Sequence, residues 1–395
     1  MKVLLISPLP KLDPSCGDIT YTETLLAHPP EGVEYETYAD ALSRGTLREH
    51  GNSGALKVAI KARQGIAKEL ALTAVAKGIN LLRKERHLFW EPFRFFSVKP
   101  GEYDVIHLHI FSARFFDLKC PLVVSSGSPQ RYLYTAARNY SEWQTNRMEK
   151  AEVRLAKIFG VNANSYYLPQ ANRLMVYTQF AKSWYTDRAI LPASLIDINP
   201  IFLPSSPPVI LSRHPTRVGF IAKDFAAKGG PTLLRAFEQV RIKRPDALLH
   251  IVGCPAQMSE AEAVRRGVIW SAYVPRDTLM NDILPTFDVF AYPTHLDCIS
   301  YVMLEVMSHG IAVATSDYPS MPETVNYGKA GLVSGVGDVE ALATNILTLL
   351  ELNANTHFRC AAREHFEQTY SANAVRPRLR ASYEAALNQN SCGPQ

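Results

Sequence analysis

Short apolar runs alternate with stretches of helical periodicity along the first half of the chain. Residues 2–8, 104–110, 121–126 and 173–178 are predicted to be buried strands, and residues 141–159 a helix. Continuous apolar runs of this length suit strands that are covered on both faces. The alternation predicts parallel sheets wound with helices, which is an α/β fold.

The same alternation returns in the second half. Residues 216–222, 247–253, 288–293 and 311–316 are predicted to be strands, and residues 231–244 a helix. The chain therefore contains two doubly wound halves, each with its own series of strands and helices.

A proline-rich stretch separates the two halves. Residues 190–216 carry six prolines and no helical periodicity, as an interdomain linker would. We expect a first domain over 1–195, a linker over 196–215 and a second domain over 216–371.

Composition places the chain among globular proteins of a reducing compartment. Its six cysteines show no CxxC pairing, which argues against a disulfide scaffold or a zinc site and favours the cytoplasm. No apolar run approaches about 18 residues, so we expect no transmembrane helix. The first residues are predicted to form a buried strand and not a signal peptide.

The positive charge is concentrated in one segment. Residues 55–90 contain eight basic and two acidic residues among apolar positions, and end in Leu88, Phe89 and Trp90. Such a segment suits an anionic membrane surface, and it equally suits a solvated helix packed on a domain. Nucleic acid is disfavoured because the excess is local and no nucleic-acid-binding motif accompanies it.

A carboxylate stands in an apolar helix near residue 300. Glu305 requires a partner there, because an unpaired buried carboxylate is unfavourable. Ser300 can cap this helix, and the amides near Tyr301 and Val302 would face an anion. A ligand with phosphates on the helix end would bring ribose hydroxyls to Glu305. The alternative is a buried acid paired with a structural Lys or Arg.

A second loop offers positive charge. Lys223 and Lys228 flank the loop after strand 216–222, and Lys228 is followed by Gly229, Gly230 and Pro231. Glycines allow close approach of the backbone, and proline suits the first helical position. The lysines could clamp a diphosphate, although two such lysines alone would be ordinary solvated side chains.

The first half contributes a weaker phosphate loop at Gly17 and two histidines. His107 and His109 lie on one face of strand 104–110, since side chains alternate along a strand. A core histidine is usually structural, and His109, at the carboxyl end, is the more suitable to reach a ligand cleft.

Several catalytic motifs are absent from the sequence. GxxxxGK[ST], GxGxxG, GxSxG and HExxH do not occur, and no DxD follows a strand. We therefore expect no metal ion and no bound cofactor.

The motifs of the second half resemble those of the GT-B glycosyltransferases, specifically the large retaining family 4. The resemblance rests on GFIAKDFAAKGGPTLLRAF, DVFAYPTHLDCISYVMLEVMSHGIAVATSD and MPETVNYGKAGLV, with MKVLLISPLP…CGD and DVIHLHI in the first half. It implies two Rossmann-like domains facing a cleft, with a helix over 372–390 returning to the first domain.

The resemblance also implies a reaction. The protein would move a sugar from a nucleoside diphosphate, UDP or GDP, to a hydroxyl of a glycan or lipid-linked acceptor, with retention and without a metal. Such proteins act in bacterial glycan, glycolipid or polysaccharide biosynthesis, in the cytoplasm or peripherally on the inner membrane face. Segment 55–90 is the candidate membrane contact.

The resemblance assigns roles to matching positions. Lys228 would bind the diphosphate, Glu305 the ribose and Asp297 the sugar hydroxyls, and His109 would lie beside the sugar. His109, Asp297 and Lys228 are the catalytic candidates. The donor-binding candidates are Gly17, Lys223, Lys228, Asp297, Ser300, Tyr301, Val302 and Glu305.

This chain departs from the family pattern at a few positions. Asp297 replaces the first Glu of the Glu-x7-Glu pair, and Lys223 replaces an Arg. Residues 298–300 are Cys-Ile-Ser in place of a small-Phe-Gly triplet, and Ser126 stands where histidine is frequent. Two alternatives remain: a nucleotide-sugar epimerase of the same fold, and a sugar-nucleotide-binding relative without catalysis.

Overall fold

The computed structural model divides the chain into two compact units. The first comprises 1–177, 181–199 and 376–395, and the second comprises 178–180 and 200–375. The structure describes residues 1–7, 17–51, 58, 74–75, 94–109, 113–116, 118–127, 171–187, 191–210 and 212–391. The predicted helix 141–159 and nearly all of the basic segment 55–90 lie outside these residues.

A six-stranded parallel sheet forms the centre of the first unit. Its order is β2-β1-β5-β7-β8-β9. The strands of this unit, in chain order, are β1 (Lys2–Ile6), β2 (Glu34–Thr37), β3 (Leu47–His50), β4 (Arg94–Val98), β5 (Val105–His109), β6 (Ala113–Phe116), β7 (Leu122–Ser126), β8 (Arg173–Val176) and β9 (Ile196–Ile198).

Strand β5 lies between β1 and β7 inside the sheet, and all five of its residues are buried. This confirms the buried strand predicted from its apolar run, and β1, β7 and β8 also form where the sequence predicts them. Strand β9 lies inside the stretch predicted to be a linker and pairs with β8. The last strand of the sheet therefore comes from a segment whose prolines obscure its short apolar run.

A second, three-stranded sheet of order β3-β4-β6 was not predicted from the sequence. Aromatic rings hold it together, since Phe96 stacks on Phe115 with centroids 5.4 Å apart and Phe95 on Phe116 at 6.1 Å. Its strands are short and lie far apart in the chain, so periodicity alone gives little sign of their pairing.

The second unit also has a six-stranded parallel sheet, in the order β12-β11-β10-β13-β14-β15. This is the doubly wound arrangement in which the strand order reverses between β10 and β13. Its strands are β10 (Arg217–Ile221), β11 (Leu248–Val252), β12 (Val268–Ser271), β13 (Val289–Tyr292), β14 (Ala312–Ser316) and β15 (Leu332–Ser334).

Helices pack around both sheets, as the alternating pattern predicts. The helices up to residue 369 are α1 (Gly17–Ala27), α2 (Tyr38–Ser43), α3 (Gln179–Asp187), α4 (Gly230–Lys243), α5 (Glu260–Arg266), α6 (Arg276–Thr278), α7 (Tyr301–Ser308), α8 (Met321–Thr324), α9 (Val339–Leu350) and α10 (Leu352–Thr369). Short 3-10 turns lie at Ala193–Leu195, Leu284–Thr286 and Asn326–Gly328, and a π-turn at Leu279–Ile283.

The final helix, α11 (Ala372–Ser391), carries the chain back into the first unit from residue 376 onward. There the Tyr383 hydroxyl lies 2.9 Å from that of Tyr35, and Asn199 donates to Ser382 at 2.8 Å. The predicted return of this helix to the first domain is confirmed. Among the described residues, no helix has both the length and the apolar character needed to cross a bilayer.

A glycine in β10 permits the packing at the centre of the second sheet. A Cβ at Gly219 would lie 2.1 Å from the ring of Phe287, which is buried beneath the strand. Only a residue without a side chain allows the phenyl ring to contact the strand there.

Replacing Gly219 by alanine should therefore destabilise the second unit. Displacing a buried ring in a packed core lowers the free energy of unfolding by about 1–3 kcal/mol, which denaturant unfolding will measure. Gly335→Ala is the matched control, because its nearest neighbour would be 3.5 Å away, an ordinary contact. Equal stability of both variants would contradict this packing argument.

Candidate functional site

Two loops meet at the point where the strand order of the second sheet reverses. One follows β10 and carries Lys228; the other follows β13 and begins at Pro293. Their backbones are joined by the bond from the His295 amide to the Ala227 carbonyl, 2.9 Å. Ligands of open parallel sheets bind at such a reversal, beyond the carboxyl ends of the strands.

Glycine is required where the loops touch. Gly229 has φ = +81°, and a Cβ there would lie 1.9 Å from the carbonyl oxygen of Pro293. A side chain would thus be strained by its backbone conformation and would also separate the loops. The Lys228-Gly229-Gly230 sequence therefore brings the Lys228 ammonium close to the second loop.

Lys228 and Asp297 form an ion pair across these loops. The Lys228 Nζ donates to Asp297 Oδ2 and to the Leu296 carbonyl, both at 2.7 Å. The Tyr292 hydroxyl also donates to Asp297 Oδ2, at 2.6 Å, and the Cys298 amide donates to Oδ1 at 2.9 Å. The sequence predicted separate ligand contacts for Lys228 and Asp297, and the structure brings the two side chains together.

Tyr292 is a hydrogen-bond donor in this cluster. Burial, reinforced by the neighbouring Asp297 carboxylate, raises the pKa of Tyr292 well above its usual value. The phenol therefore stays protonated and donates to Asp297, which keeps the carboxylate oriented towards Lys228. Sequence analysis did not identify Tyr292, because a tyrosine at the end of a buried strand is ordinary core composition.

Lys223 lies near the start of the first loop, two residues after β10 ends, and its side chain is exposed. The structure thus places both predicted lysines on one loop at the reversal of the sheet. Lys228 is held by its two bonds, and Lys223 adds a second positive charge to the same loop.

Helix α7 begins where the second loop ends. Ser300 occupies the N-cap position with an extended backbone, but its side chain makes no capping bond to the helix amides. The predicted side-chain cap is therefore wrong. The Ser300 hydroxyl instead opposes the rise in the pKa of Tyr292 that burial causes. Tyr301 and Val302 form the first helical turn, as predicted.

Glu305 lies one turn further along α7 and is buried, with its side chain 5% exposed. It accepts a hydrogen bond from Arg276 at 2.6 Å, and the Arg276 side chain is 60% exposed. Burial raises the pKa of Glu305, and the Arg276 guanidinium opposes that rise. The alternative left open by the sequence, an acid paired with an arginine, describes the observed contact.

Arg276 was missed by sequence reasoning. It begins α6, which follows β12, a strand that the apolar pattern also failed to reveal. The dipeptide Pro275-Arg276 was the available signal, because proline fixes its own backbone φ and is common where a helix begins. Without the strand, that helix start could not be positioned relative to α7.

The first unit holds the remaining candidates. His107 and His109 both bond the Ser125 hydroxyl, at 2.8 and 2.7 Å, which confirms that they share one face of β5. Both are buried with 0% exposure, so burial does not distinguish them and the structure gives His109 no solvent-facing surface. Gly17 is the first residue of α1.

No group of three or more His, Cys, Asp or Glu side chains suited to a metal ion occurs within the described ranges. The two carboxylates of the site form ion pairs with basic side chains: Asp297 with Lys228, and Glu305 with Arg276.

Part of the second unit is similar to known proteins. Residues 215–352 match the model described as "Glycosyl transferases group 1". Over 161 residues the chain is 27% identical to a sulfoquinovosyl transferase of Arabidopsis thaliana, covering 39% of this chain and 31% of that protein. It is 30% identical over 136 residues to the GDP-mannose-dependent alpha-(1-6)-phosphatidylinositol monomannoside mannosyltransferase of Mycolicibacterium smegmatis, covering 31% of this chain and 35% of that protein. The matches thus span about a third of each relative's length.

Solved structures resemble the chain over nearly its whole length. Sucrose-phosphate synthase from Thermosynechococcus elongatus gives a TM-score of 0.61 at 15% identity, over 98% of this chain and 99% of that one. Anabaena HepE, solved in complex with UDP, gives 0.58 at 14% identity over 98% and 100%. The chain therefore has the GT-B glycosyltransferase fold, and residues 215–352 match the glycosyl transferases group 1 model.

The Arg276–Glu305 contact predicts a pH-dependent stability. Because the pKa of Glu305 is raised on folding, stability present at acid pH is lost as pH rises through that pKa. Arg276→Ala removes the opposing charge, so the pKa should rise further and the loss should grow. Solvent around the half-exposed arginine limits the effect to about 1–2 kcal/mol at neutral pH.

Denaturant unfolding of both proteins from acid to neutral pH will test this. In a Glu305→Gln background, Arg276→Ala should show no additional pH dependence, because no carboxyl group remains to titrate. The same pH dependence in wild type and Arg276→Ala would show that the ion pair does not control Glu305.

Proposed function

We propose that this protein is a retaining glycosyltransferase that moves a sugar from a nucleoside diphosphate donor to a hydroxyl acceptor. The observation that carries the proposal is the arrangement of Lys228, Asp297 and Glu305 at the reversal of the second sheet. A cation, a helix N-terminus and a buried carboxylate one turn along that helix match, in order, a diphosphate and its ribose.

Each group has a role in donor binding under this proposal. Lys228 has three N–H donors, and its bonds to Asp297 and Leu296 occupy two of them among the described residues. A phosphate oxygen takes the third, while Lys223 and the first amides of α7, at Tyr301 and Val302, bind the remaining charge.

The two carboxylates bind hydroxyl groups. Glu305 accepts hydrogen bonds from the ribose, and Asp297 from the transferred sugar, since an ionised carboxylate is an acceptor only. Their cationic partners, Lys228 and Arg276, orient both groups before the donor arrives. In the first unit, Gly17 is the proposed phosphate contact. His109 is the proposed sugar contact, and because it is fully buried in this structure it would have to become accessible before a donor reaches it.

The reaction is driven mainly by electrostatic stabilisation. The bond between the anomeric carbon and the diphosphate oxygen breaks, and a bond to the acceptor oxygen forms on the same face of the sugar. Lys228, Lys223 and the α7 amides stabilise the charge on the leaving diphosphate. The acceptor proton passes to that diphosphate, and the sugar passes through a state resembling an oxocarbenium ion.

The donor is a UDP- or GDP-sugar, and the acceptor a glycan or lipid-linked hydroxyl. The names of the relatives support both choices: one is GDP-mannose-dependent and acts on a phosphatidylinositol mannoside, and another is an O-antigen chain mannosyltransferase of Escherichia coli. HepE was solved with UDP. The protein acts without a metal ion in bacterial glycan or glycolipid assembly.

Removing the proposed donor contacts should abolish transfer. Lys228→Met and Glu305→Gln each delete one charged contact while keeping the side-chain volume, and turnover should fall about 100-fold or more. Release of nucleoside diphosphate from the donor that wild type uses will measure this. Lys243→Met, an exposed lysine on α4, is the matched control.

Three outcomes would contradict the proposed site or function. Near-normal turnover by Lys228→Met or Glu305→Gln means that the donor binds elsewhere. Turnover of the donor without any acceptor favours an epimerase, and nucleotide binding without turnover favours a relative that lacks catalysis.

The proposed location rests on the basic segment 55–90. We propose a cytoplasmic protein bound peripherally to an anionic membrane surface through this segment. Each basic residue near the surface contributes about 1 kcal/mol. Lys57→Glu with Lys61→Glu should therefore weaken binding to phosphatidylserine vesicles by about 10-fold or more.

Vesicle sedimentation will measure that binding. Reversal of two exposed lysines on the second unit, Lys243 and Lys329, is the matched control and should have little effect. Equal losses from both pairs would show that net charge, and not the segment, determines binding.

A further inference from the structure

A chain of hydrogen-bonded side chains runs beneath His109 in the first unit. Its Nδ1 lies 2.7 Å from the Ser125 hydroxyl, which lies 2.8 Å from His107 Nε2. His107 Nδ1 in turn lies 2.8 Å from the hydroxyl of Tyr383 on the final helix, and that hydroxyl lies 2.9 Å from that of Tyr35. Five side chains from β2, β5, β7 and α11 are thus linked in series.

The proton positions of these five hydrogen-bonded side chains are coupled to one another. Ser125 has one proton, so when it donates to one imidazole the other imidazole must donate to it. A neutral imidazole that donates at one nitrogen accepts at the other. The position of the proton on His109 is therefore coupled, through Ser125 and His107, to the direction of the bond between His107 and Tyr383.

Charge state determines which direction is favoured. Burial, aided by the neighbouring His109, lowers the pKa of His107 to about 3, so its ring is neutral at pH 7. Burial raises the pKa of Tyr383 well above its usual value, so its hydroxyl keeps its proton. A phenol is the better donor and an imidazole nitrogen the better acceptor, so Tyr383 donates to His107 Nδ1.

The remaining protons follow from that first bond. With its Nδ1 accepting, His107 carries its proton on Nε2 and donates to Ser125. Ser125 then donates to His109 Nδ1, because an imidazole nitrogen attracts its proton more strongly than a hydroxyl oxygen does. When the His109 ring is neutral, this arrangement places its single proton on Nε2.

We propose that Tyr383, acting through His107 and Ser125, is a positioning residue that holds His109 as the Nε2–H tautomer. The proposal rests on the proposed function for its consequence: in this tautomer His109 donates a hydrogen bond to an oxygen of the bound sugar and does not act as a base. Tyr21 contributes the orientation of the ring, because it stacks on His109 with centroids 4.4 Å apart and planes at 25°.

The arrangement gives the final helix a part in the site. Tyr383 lies 276 residues after His107 in the chain, yet its hydroxyl is the group that determines the direction of every later bond. A helix that returns to the first unit thereby controls a proton at the carboxyl end of β5.

Imidazole 15N spectra of the full chain, labelled at histidine, test the proposal without donor or acceptor. Wild type at neutral pH should show His109 protonated at Nε2, with His109→Gln identifying its signals. Tyr383→Phe keeps the buried ring but removes the donor to His107, so the population of the Nδ1–H tautomer of His109 should rise several-fold. Ser125→Ala should also raise the Nδ1–H population, because it removes the hydroxyl that links His107 to His109.

Tyr35→Phe is the matched control. It removes the phenol hydroxyl of Tyr35, which bonds to Tyr383 and not to His107. Tyr383 therefore still donates to His107, and the His109 tautomer should not change. An Nδ1–H tautomer in wild type would overturn the proposal. So would an unchanged His109 tautomer in Tyr383→Phe, whatever the result for Ser125→Ala.

Kinetics separate this proposal from the proposed function. If both hold, Tyr383→Phe should lower kcat several-fold with little change in the donor KM, because a transition-state contact is weakened. If the tautomers are as predicted but the protein transfers no sugar, the role of Tyr383 is supported and the proposed function is contradicted. If the protein transfers sugar but the tautomers differ from those predicted, the proposed function is supported and the role of Tyr383 is contradicted.

Discussion

The second unit depends on a backbone contact between two loops, where Gly229 lies against the carbonyl of Pro293. No other residue type could adopt the conformation of Gly229 and also leave room for that oxygen. Because the contact joins the loops after β10 and β13, it determines how near Lys228 comes to Asp297. The ion pair, the orientation of Tyr292 and the start of α7 all follow from this approach.

Both carboxylates of the site are already paired with cations of the same unit. Asp297 is held by Lys228 and Tyr292, and Glu305 by Arg276. Burial of Glu305 would otherwise favour its neutral form, which binds hydroxyl groups less well as an acceptor. The Arg276 guanidinium, 60% exposed, opposes this effect of burial from the solvent side.

Much of the fold could be predicted from the apolar pattern, since buried strands that are covered on both faces leave continuous apolar runs. The predictions failed where that signal is weak: β9 lies among prolines, and β12 and the small sheet of β3, β4 and β6 are short. The positions of Lys228, Asp297 and Glu305 followed from motifs. Their partners Arg276 and Tyr292, and the Tyr383–His107 bond, did not, because they arise from contacts between distant segments.

The central claim is that Glu305 binds the ribose of a nucleoside diphosphate. Calorimetric titration of wild type and Glu305→Gln with UDP or GDP, and with the corresponding 2′,3′-dideoxy diphosphate, tests it most directly. We expect wild type to bind the natural nucleotide more tightly than the dideoxy analogue by a factor of about 10 or more, as for a hydrogen bond to a charged group. In Glu305→Gln that difference should largely disappear. A variant that binds both nucleotides as wild type does, or that weakens both equally, would contradict the claim.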